Sequence, residues 1–243
     1  MVHEMRVALY GGTFDPVHNG HMAIAAGVAE LFALDQVLFI PAHIAPHKRG
    51  ALVTPALHRY AMLALATQEE SRFRISTAEI ETPERPYTVD TLARVRAEVG
   101  ERPRLFFVMG ADSWTEITTW RDWERVLALC NHIVVTRPGY QVGFDHVTPA
   151  VRERVVDLRD ARGGRVVQTL NENPDPRVYI TNAVMLDVSA TTVRHVARQE
   201  GGVEFTNLVP LPVAEYIKKY RLYREVNETE SFSARNSPVS RHC

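Results

Sequence analysis

The stretch RVALYGGTFDPVHNGH, from Arg6 to His21, runs from an apolar strand through a glycine-rich turn into the start of a helix. Two glycines directly after the strand, Gly11 and Gly12, let another molecule approach the backbone closely. Free amide groups in such a turn and at the next helix N-terminus attract phosphate. His18 and His21 are three residues apart around that helix start and can donate hydrogen bonds to one polyphosphate. Either feature alone would indicate an ordinary turn, but the whole string predicts a phosphate-binding site.

Other well-known binding motifs do not fit this string. A Gly-x-Gly-x-x-Gly fingerprint starting at Gly11 would require glycine at Thr13 and at Pro16. No Gly-x-x-x-x-Gly-Lys string occurs in the chain. His18 and His21 do not indicate a zinc site, because no third ligand is marked.

Apolar strands alternate with helices along most of the chain outside this turn. The pattern predicts strands at 6–10, 36–40, 73–80, 104–109, 132–136 and 184–188, and helices at 20–34, 55–68, 89–99, 113–118, 122–129, 151–160, 190–199 and 213–220. Thr88 is expected to cap the helix at 89–99, and Gly163-Gly164 to form a turn. The alternation predicts an α/β, Rossmann-like, doubly wound and mainly parallel sheet with a small C-terminal helical part. Ligands of such sheets bind beyond the carboxyl ends of the strands.

The composition excludes several classes of protein. With 243 residues, 45% of them hydrophobic, the chain can bury a sizeable core. Its two cysteines, Cys130 and Cys243, cannot build a disulfide scaffold or a four-thiolate zinc site. The net charge of -1 provides no general attraction to nucleic acid or to an anionic membrane. We see no signal peptide and no apolar run long enough to span a bilayer, and therefore expect a cytoplasmic protein.

The string from Gly11 to His21 resembles the Gly-Gly-Thr-Phe-Asp-Pro-x-His-x-Gly-His signature of the bacterial nicotinate mononucleotide adenylyltransferases. These enzymes belong to the nucleotidyltransferase superfamily that carries a His-x-Gly-His motif. Further matches follow in family order, at Pro46-His-Lys48, Pro86-Tyr-Thr88 with Asp90-Thr91, Gly110-Ala-Asp-Ser113 with Trp120, Arg137-Pro-Gly139, and Ser189-Ala-Thr-Thr-Val-Arg194. The first and last strings resemble the whole superfamily, and the intermediate ones resemble its pyridine mononucleotide branch.

The chain departs from the family pattern in three places. The segment 142–187 is longer than its counterpart, and the chain extends past Arg224, where many relatives end. Arg121 follows Trp120, where the pattern has an aromatic residue or another residue that acts through its backbone. The resemblance implies one nucleotidyltransferase domain at 1–225, with its C-terminal helical part at 190–225, and we expect a disordered tail at 226–243.

The resemblance implies an enzyme of NAD synthesis that transfers AMP from ATP to nicotinate mononucleotide, giving nicotinate adenine dinucleotide and pyrophosphate. The acceptor phosphate is already an anionic nucleophile, so no serine or cysteine has to be activated. The difficulty is to bring two anions together, since two unit charges ~4 Å apart repel by roughly 4 kcal/mol at an effective dielectric constant near 20. Cations and positioning should therefore dominate catalysis.

The resemblance also implies roles for the matching residues. The catalytic set is His18, His21, Lys48 and Arg194. The residues expected to contact ATP are Gly11, Gly12, Thr13, His18, His21, Asp112, Ser189, Thr191 and Arg194. The residues expected to contact nicotinate mononucleotide are Gly12, Thr13, Phe14, Lys48, Thr88, Trp120 and Arg137. Mg²⁺ is expected to bind mainly through ATP phosphates and water, with no metal ligand from the protein.

Several of these residues have simpler interpretations. Asp112 and Thr88 can cap helices, Arg194 can be a solvated helix residue, and Trp120 can belong to the core. Asp15 is expected to serve the turn rather than a ligand.

Two other kinds of function remain open at this point. One is the same transfer to nicotinamide mononucleotide, phosphopantetheine or a flavin mononucleotide, and the other is a nucleotide-binding regulatory domain without catalysis. We expect no nucleic-acid or membrane partner, and the sequence leaves a homo-oligomer open.

Overall fold

The chain is described here from a computed structural model, which describes residues 4–43, 53–82, 86–136, 141–182, 188–198 and 204–224. Within these ranges, a seven-stranded sheet forms the centre of the fold, and all of its strand pairs are parallel. The strands are β1 (Arg6–Gly12), β2 (Gln36–Pro41), β3 (Phe73–Ile75), β4 (Arg104–Gly110), β5 (Asn131–Val135), β6 (Val155–Asp157) and β7 (Val178–Thr181). The predicted α/β doubly wound fold is confirmed, and the sheet is more uniformly parallel than expected.

Helices cover both faces of this sheet. They are α1 (Asn19–Leu31), α2 (Ala56–Thr67), α3 (Thr88–Val99), α4 (Ala111–Thr115), α5 (Trp123–Leu129), α6 (Pro149–Arg152), α7 (Gly163–Glu172), α8 (Ala190–Arg198) and α9 (Leu211–Lys219), with 3₁₀ turns at Ile117–Thr119 and Glu204–Asn207. None of the helices in the described ranges has the length and apolar character needed to cross a bilayer.

The strand order β3-β2-β1-β4-β5-β7-β6 indicates where a ligand-binding crevice lies. From β1 the chain builds outward through β2 to β3, and then returns to β4 on the other side of β1. The connections therefore diverge between β1 and β4. In doubly wound sheets, the crevice at the carboxyl ends of such a strand pair is where ligands bind.

Burial on both faces explains why the central strands are mostly apolar. Ala8 and Tyr10 of β1 belong to the core on one side of the sheet. Val7 and Leu9 belong to the core on the other side. Side chains alternate between the two faces of a strand, so each central strand contributes to both cores and fixes its own register.

The region between β5 and α8 differs most from the sequence expectation. The predicted helix at 151–160 is wrong, since α6 ends at Arg152 and β6 occupies Val155–Asp157. The predicted turn at Gly163-Gly164 is also wrong, because these glycines open α7. Strand β6 has only three residues and exists through its pairing with β7, which local sequence patterns do not reveal. The segment 142–187 thus contributes β7 and β6 to one edge of the sheet.

Smaller differences concern the ends of elements. The predicted strand at 73–80 ends at Ile75. The predicted strand at 184–188 falls mostly outside the described residues, and the preceding strand β7 was not predicted. Thr88 is not the cap of α3, because Tyr87 precedes the helix as its N-cap and donates its backbone N–H to the Asp90 carboxylate at 3.2 Å. The tail at 226–243 lies outside the described residues, so its disorder and the domain limits stay predictions.

Candidate active site

The turn after β1 is built around a buried aromatic ring. Phe14 adopts a left-handed backbone conformation, with φ of 49°, and its side chain is only 1% exposed. Its ring packs edge-on against Tyr10 and Phe39, with centroids 5.6 and 5.7 Å apart. A Cβ atom at Gly12 would lie 2.9 Å from this ring, so glycine is required there. Because the Phe14 ring is in the core, the predicted contact with an acceptor could involve only its backbone.

His18 and His21 form a stacked pair at the start of α1. Their ring centroids are 3.6 Å apart, and the ring planes differ by 27°. The backbone N–H of His21 donates to Nδ1 of His18 at 3.3 Å, and the N–H of His18 donates to Nδ1 of His21 at 3.2 Å. When Nδ1 accepts a hydrogen bond, the proton of a neutral imidazole is on Nε2. In its neutral form, each ring of the pair therefore carries its proton on Nε2, and this N–H group is a hydrogen-bond donor.

Burial decides the charge of the first of these rings. The His18 residue is 6% exposed, and loss of hydration lowers its pKa to about 4. At neutral pH His18 is therefore uncharged. It can act as an oriented hydrogen-bond donor toward an anion, whereas positive charge has to come from other residues.

Gly20 makes room for the His18 ring. A Cβ atom at this position would lie 3.0 Å from Nδ1 and 3.1 Å from Cε1 of His18. It would also lie 3.3 Å from the carbonyl oxygen of Val188. The glycine of the His-x-Gly-His motif is thus the place where the imidazole and the segment leading into α8 meet.

The N-terminus of α8 lies beside this histidine pair. The hydroxyl of Ser189 accepts the N–H of Thr192 at 3.1 Å and so caps the helix. The Arg194 guanidinium donates to the Asp15 carbonyl oxygen at 2.6 Å and to the Thr191 hydroxyl at 3.1 Å. The structure therefore brings His18, His21, Ser189 and Arg194 to one end of the sheet, which the sequence could only suggest.

Asp15 holds the turn in place. It is 3% exposed, and its carboxylate accepts hydrogen bonds from the backbone N–H of Thr54 at 3.2 Å and from the Tyr223 hydroxyl at 2.8 Å. Asp15 thus connects the turn to the start of α2 and to the C-terminal end of the described chain. This matches the expectation that Asp15 serves the turn.

Arg59 of α2 is a buried cation that sequence reasoning missed. It is 1% exposed, and its guanidinium donates to three backbone carbonyl oxygens: Thr13 at 2.7 Å, His43 at 3.0 Å and Thr54 at 2.9 Å. The pKa of Arg59 is lowered by burial, while the nearby Asp15 acts in the opposite direction. A signal was present, because Arg59 lies on the apolar face of α2 with Met62 and Leu63, where an arginine needs an internal partner.

A cavity of about 380 Å³ opens at the carboxyl ends of β1, β2 and β4. Its lining comes from the turn after β1, the segments after β2 and β3, the N-terminus of α3 and the α4–α5 region. The lining residues are Gly11, Gly12, Thr13, Ile40, Ala42, His43, Glu79, Pro86, Tyr87, Thr88, Thr91, Phe107, Ser113, Glu116, Thr119, Trp120 and Arg121. The turn residues Gly11 to Thr13 thus connect this cavity to the histidine pair.

The cavity has an aromatic wall and polar groups around it. Trp120 packs edge-on against Phe107, with centroids 6.2 Å apart. The Thr91 hydroxyl donates to Glu79 at 2.8 Å, and burial raises the pKa of the Glu79 carboxyl. A flat ring could stack on Trp120 while the N-terminus of α3, at Thr88, faces a negative group.

The remaining predicted site residues are not all part of this arrangement. Asp112 is exposed at the second position of α4, at the end of β4, and is not among the cavity residues. Lys48 and Arg137 lie outside the described residues. Within the described ranges, no group of three or more His, Cys, Asp or Glu residues could hold a metal ion. The histidine pair offers nitrogen, whereas Mg²⁺ prefers oxygen, so these side chains do not form a magnesium site.

Comparison with known families gives a match over most of the chain. The family model described as cytidylyltransferase-like matches residues 9–196. A protein of Thermoanaerobacter sp. named "Probable nicotinate-nucleotide adenylyltransferase" is 36% identical over 228 residues, which is 94% of this chain and 99% of that protein. A protein of Symbiobacterium thermophilum with the same name is 39% identical over 220 residues, which is 90% of this chain and 95% of that protein.

Solved structures share the fold at lower identity. Two are nicotinic acid mononucleotide adenylyltransferase of Plasmodium falciparum, one complexed with APC and the other with NaAD. Both are 18% identical to this chain and cover 90% of it and 97% of their own length, with TM-scores of 0.62 and 0.63. The sequence matches, together with the seven-stranded parallel sheet, confirm the resemblance drawn from the motifs. The chain belongs to the cytidylyltransferase-like family and, within it, to the nicotinate-nucleotide adenylyltransferases.

Proposed function

We propose that this chain transfers AMP from ATP to nicotinate mononucleotide, releasing pyrophosphate and forming nicotinate adenine dinucleotide. The observation that carries the proposal is the His18–His21 pair, in which both Nδ1 atoms accept backbone N–H groups. This fixes two Nε2–H donors beside the N-terminus of α8, next to a cavity with an aromatic wall. A triphosphate and a flat acceptor ring are the ligands that suit these two parts of the site.

The chemical step needs no activated protein nucleophile. An oxygen of the acceptor phosphate attacks the α-phosphorus of ATP, and the bond from that phosphorus to the oxygen bridging the β-phosphate breaks. The electron pair of that bond leaves with pyrophosphate. The chain's contribution is to align the two phosphates and to stabilise the negative charge that moves onto the leaving group.

The proposed contacts to ATP combine the geometry of the turn with the motif resemblance. His18 and His21 donate from Nε2 to the phosphates, and the amides of Gly11, Gly12 and Thr13 line their path. Arg194, Ser189 and Thr191 hold the β- and γ-phosphates at the N-terminus of α8, where the helix dipole favours negative charge. Asp112, at the end of β4, bonds a ribose hydroxyl in this proposal. Lys48 supplies an ammonium to the reacting phosphates.

The acceptor occupies the cavity in this proposal. Its pyridine ring stacks on Trp120, and its carboxylate meets the N-terminus of α3 at Thr88. Gly12, Thr13 and the Phe14 backbone contact its phosphate, and Arg137 adds positive charge. Mg²⁺ would bind mainly through the ATP phosphates and water, and it would offset their negative charge there.

The proposal is tested by measuring pyrophosphate release. Purified protein is incubated with ATP, Mg²⁺ and one acceptor at a time: nicotinate mononucleotide, nicotinamide mononucleotide, phosphopantetheine or flavin mononucleotide. We expect nicotinate mononucleotide to give the highest kcat/KM. Equal or faster turnover with another acceptor would contradict the acceptor assignment. ATP binding without pyrophosphate release from any acceptor would indicate a regulatory domain instead.

A further inference from the structure

Arg121 is an exposed residue at the edge of the cavity. It lies between Trp120, which ends the 3₁₀ turn, and Asp122, whose left-handed backbone (φ 49°, ψ 43°) starts α5. Its guanidinium carbon lies 4.6 Å from the centroid of the Tyr87 ring. Such stacking over an aromatic face is attractive and orients the flat guanidinium group. Both Arg121 and Tyr87 line the cavity.

The contact with Tyr87 brings Arg121 to the N-terminus of α3. Tyr87 is the N-cap of this 12-residue helix, and Thr88 is its first residue. The first N–H groups of a helix have no partner within the helix and carry partial positive charge. Trp120, adjacent to Arg121, provides the aromatic wall of the same part of the cavity.

Arg121 differs in charge from the other charged residues that line the cavity. Among the described cavity residues, Arg121 is the only arginine or lysine, whereas Glu79 and Glu116 are acidic. Within the described ranges, the ion pairs do not include Arg121, so no described carboxylate neutralises its charge. A guanidinium that pairs with no described carboxylate, beside a helix N-terminus and an aromatic wall, matches the carboxylate of a flat aromatic acid.

We propose that Arg121 determines specificity for the acid form of the acceptor, because its guanidinium pairs with the carboxylate on the pyridine ring. The inference rests on the proposed function and adds a side chain to it. A pyridine carboxamide has the same shape but no negative charge, so it gains little from the guanidinium. The chain therefore selects the acid over the amide partly through this one residue.

The experiment compares both acceptors in charge variants of position 121. Arg121→Gln removes the charge, Arg121→Glu reverses it, and Arg121→Lys keeps it without the planar fork. We expect Arg121→Gln to lower kcat/KM for nicotinate mononucleotide by about 10- to 100-fold, the range for a hydrogen bond to a charged group. The loss should appear mainly in KM, since the contact exists before and during the transfer. Values for nicotinamide mononucleotide should change less than about 3-fold.

The other two variants show how the preference for the acid depends on the charge at position 121. Arg121→Lys should retain part of the preference for the acid, and Arg121→Glu should reduce it below that of Arg121→Gln. If nicotinamide mononucleotide is converted too slowly to measure, its inhibition constant in competition with nicotinate mononucleotide is compared instead of kcat/KM. Arg125→Gln is the matched control, because Arg125 is an exposed arginine of α5 that does not line the cavity.

The outcomes separate this inference from the proposed function. A selective loss for the acid supports the role of Arg121. An equal loss for both acceptors, or no loss in Arg121→Gln and Arg121→Glu, overturns it, while the proposed function stands if the wild-type protein forms the dinucleotide. Absence of pyrophosphate release by the wild-type protein with either pyridine acceptor overturns the proposed function itself.

Discussion

His18 in the turn after β1 and His132 in β5 are both buried histidines with lowered pKa values, but their surroundings differ. Burial lowers the pKa of His18 to about 4 and that of His132 to about 3. Nδ1 of His18 accepts a backbone N–H, and its ring stacks on His21. Within the described ranges, neither ring nitrogen of His132 has a partner of normal hydrogen-bond geometry, although the Cys130 backbone is near, and its ring packs edge-on to Phe107 at 5.9 Å.

The comparison separates two effects that burial can have. In both places the loss of hydration keeps the imidazole neutral. Only in the turn do hydrogen bonds also fix the tautomer and orientation of the ring, which a ligand contact requires. We therefore expect changes at His18 to affect turnover and changes at His132 to affect stability.

The largest effect is expected for the loss of the His18 ring. His18→Ala and His18→Asn should both lower kcat by about 10²–10³-fold, the range for removing one donor that stabilises developing charge. Asparagine can still cap α1, so His18→Asn should retain more of the stability than His18→Ala. Steady-state rates and urea unfolding of both variants measure this difference. Near-normal rates in either variant would remove His18 from the mechanism.

The second prediction displaces the ring without removing it. In Gly20→Ala the new methyl group would lie 3.0 Å from Nδ1 of His18, so the imidazole has to shift. Since a displacement of about 1 Å can cost ~10²-fold in rate, we expect a loss of up to about 10²-fold in kcat. Gly164→Ala in α7 is the matched control, because a Cβ there meets nothing within 4 Å. Equal activity of the two variants would show that the position of the ring does not matter.

The third prediction concerns stability at acid pH. The folded pKa of His132 lies below the ordinary value of 6.5, so between these values the unfolded chain binds a proton that the folded chain does not. Above pH 6.5 the buried His132 therefore causes no loss of stability. The free energy of unfolding decreases as the pH falls from 6.5 toward 3. Between pH 7 and pH 5 this one group should cost about 2 kcal/mol of the free energy of unfolding.

His132→Phe should remove this loss and leave turnover at pH 7.5 nearly unchanged. Urea unfolding at pH 7 and pH 5 measures the difference. Ile133→Val, an apolar change at the next residue of β5, serves as the control and should retain the wild-type dependence on pH. An unchanged acid dependence in His132→Phe, or a large loss of turnover, would contradict the separation of the two histidines.

The smallest effect is expected for the attachment of the turn to the C-terminal end of the described chain. Tyr223→Phe removes the hydroxyl that donates to the buried Asp15 carboxylate, which should lower the free energy of unfolding by about 1 kcal/mol. Tyr220→Phe, at a half-exposed ring that packs on Tyr216, should have almost no effect. Thermal unfolding of the two variants compares them. Equal stability would show that the turn is held without Tyr223.

The sequence predicted the fold class and the turn residues better than the edge of the sheet. The central strands are buried on both faces and are therefore mostly apolar, so β1, β2, β4 and β5 were located within about two residues. Strand β6 has three residues and depends on β7, so a helix was predicted in its place. β6 forms a strand because it pairs with β7, more than 20 residues away in the chain. Local sequence patterns carry no information about that pairing.

The candidate site likewise combines features that local sequence predicts with features that depend on tertiary contacts. The sequence by itself determined the central strands, the glycine-rich turn and the histidine spacing, because these depend on neighbouring residues in the chain. Only the tertiary structure decided that Arg59 holds three separate segments, that Arg194 bonds the turn through Asp15, and that Arg121 stacks on Tyr87. These contacts join residues brought together by the packing of helices on the sheet, and their geometry exists only once the chain is folded.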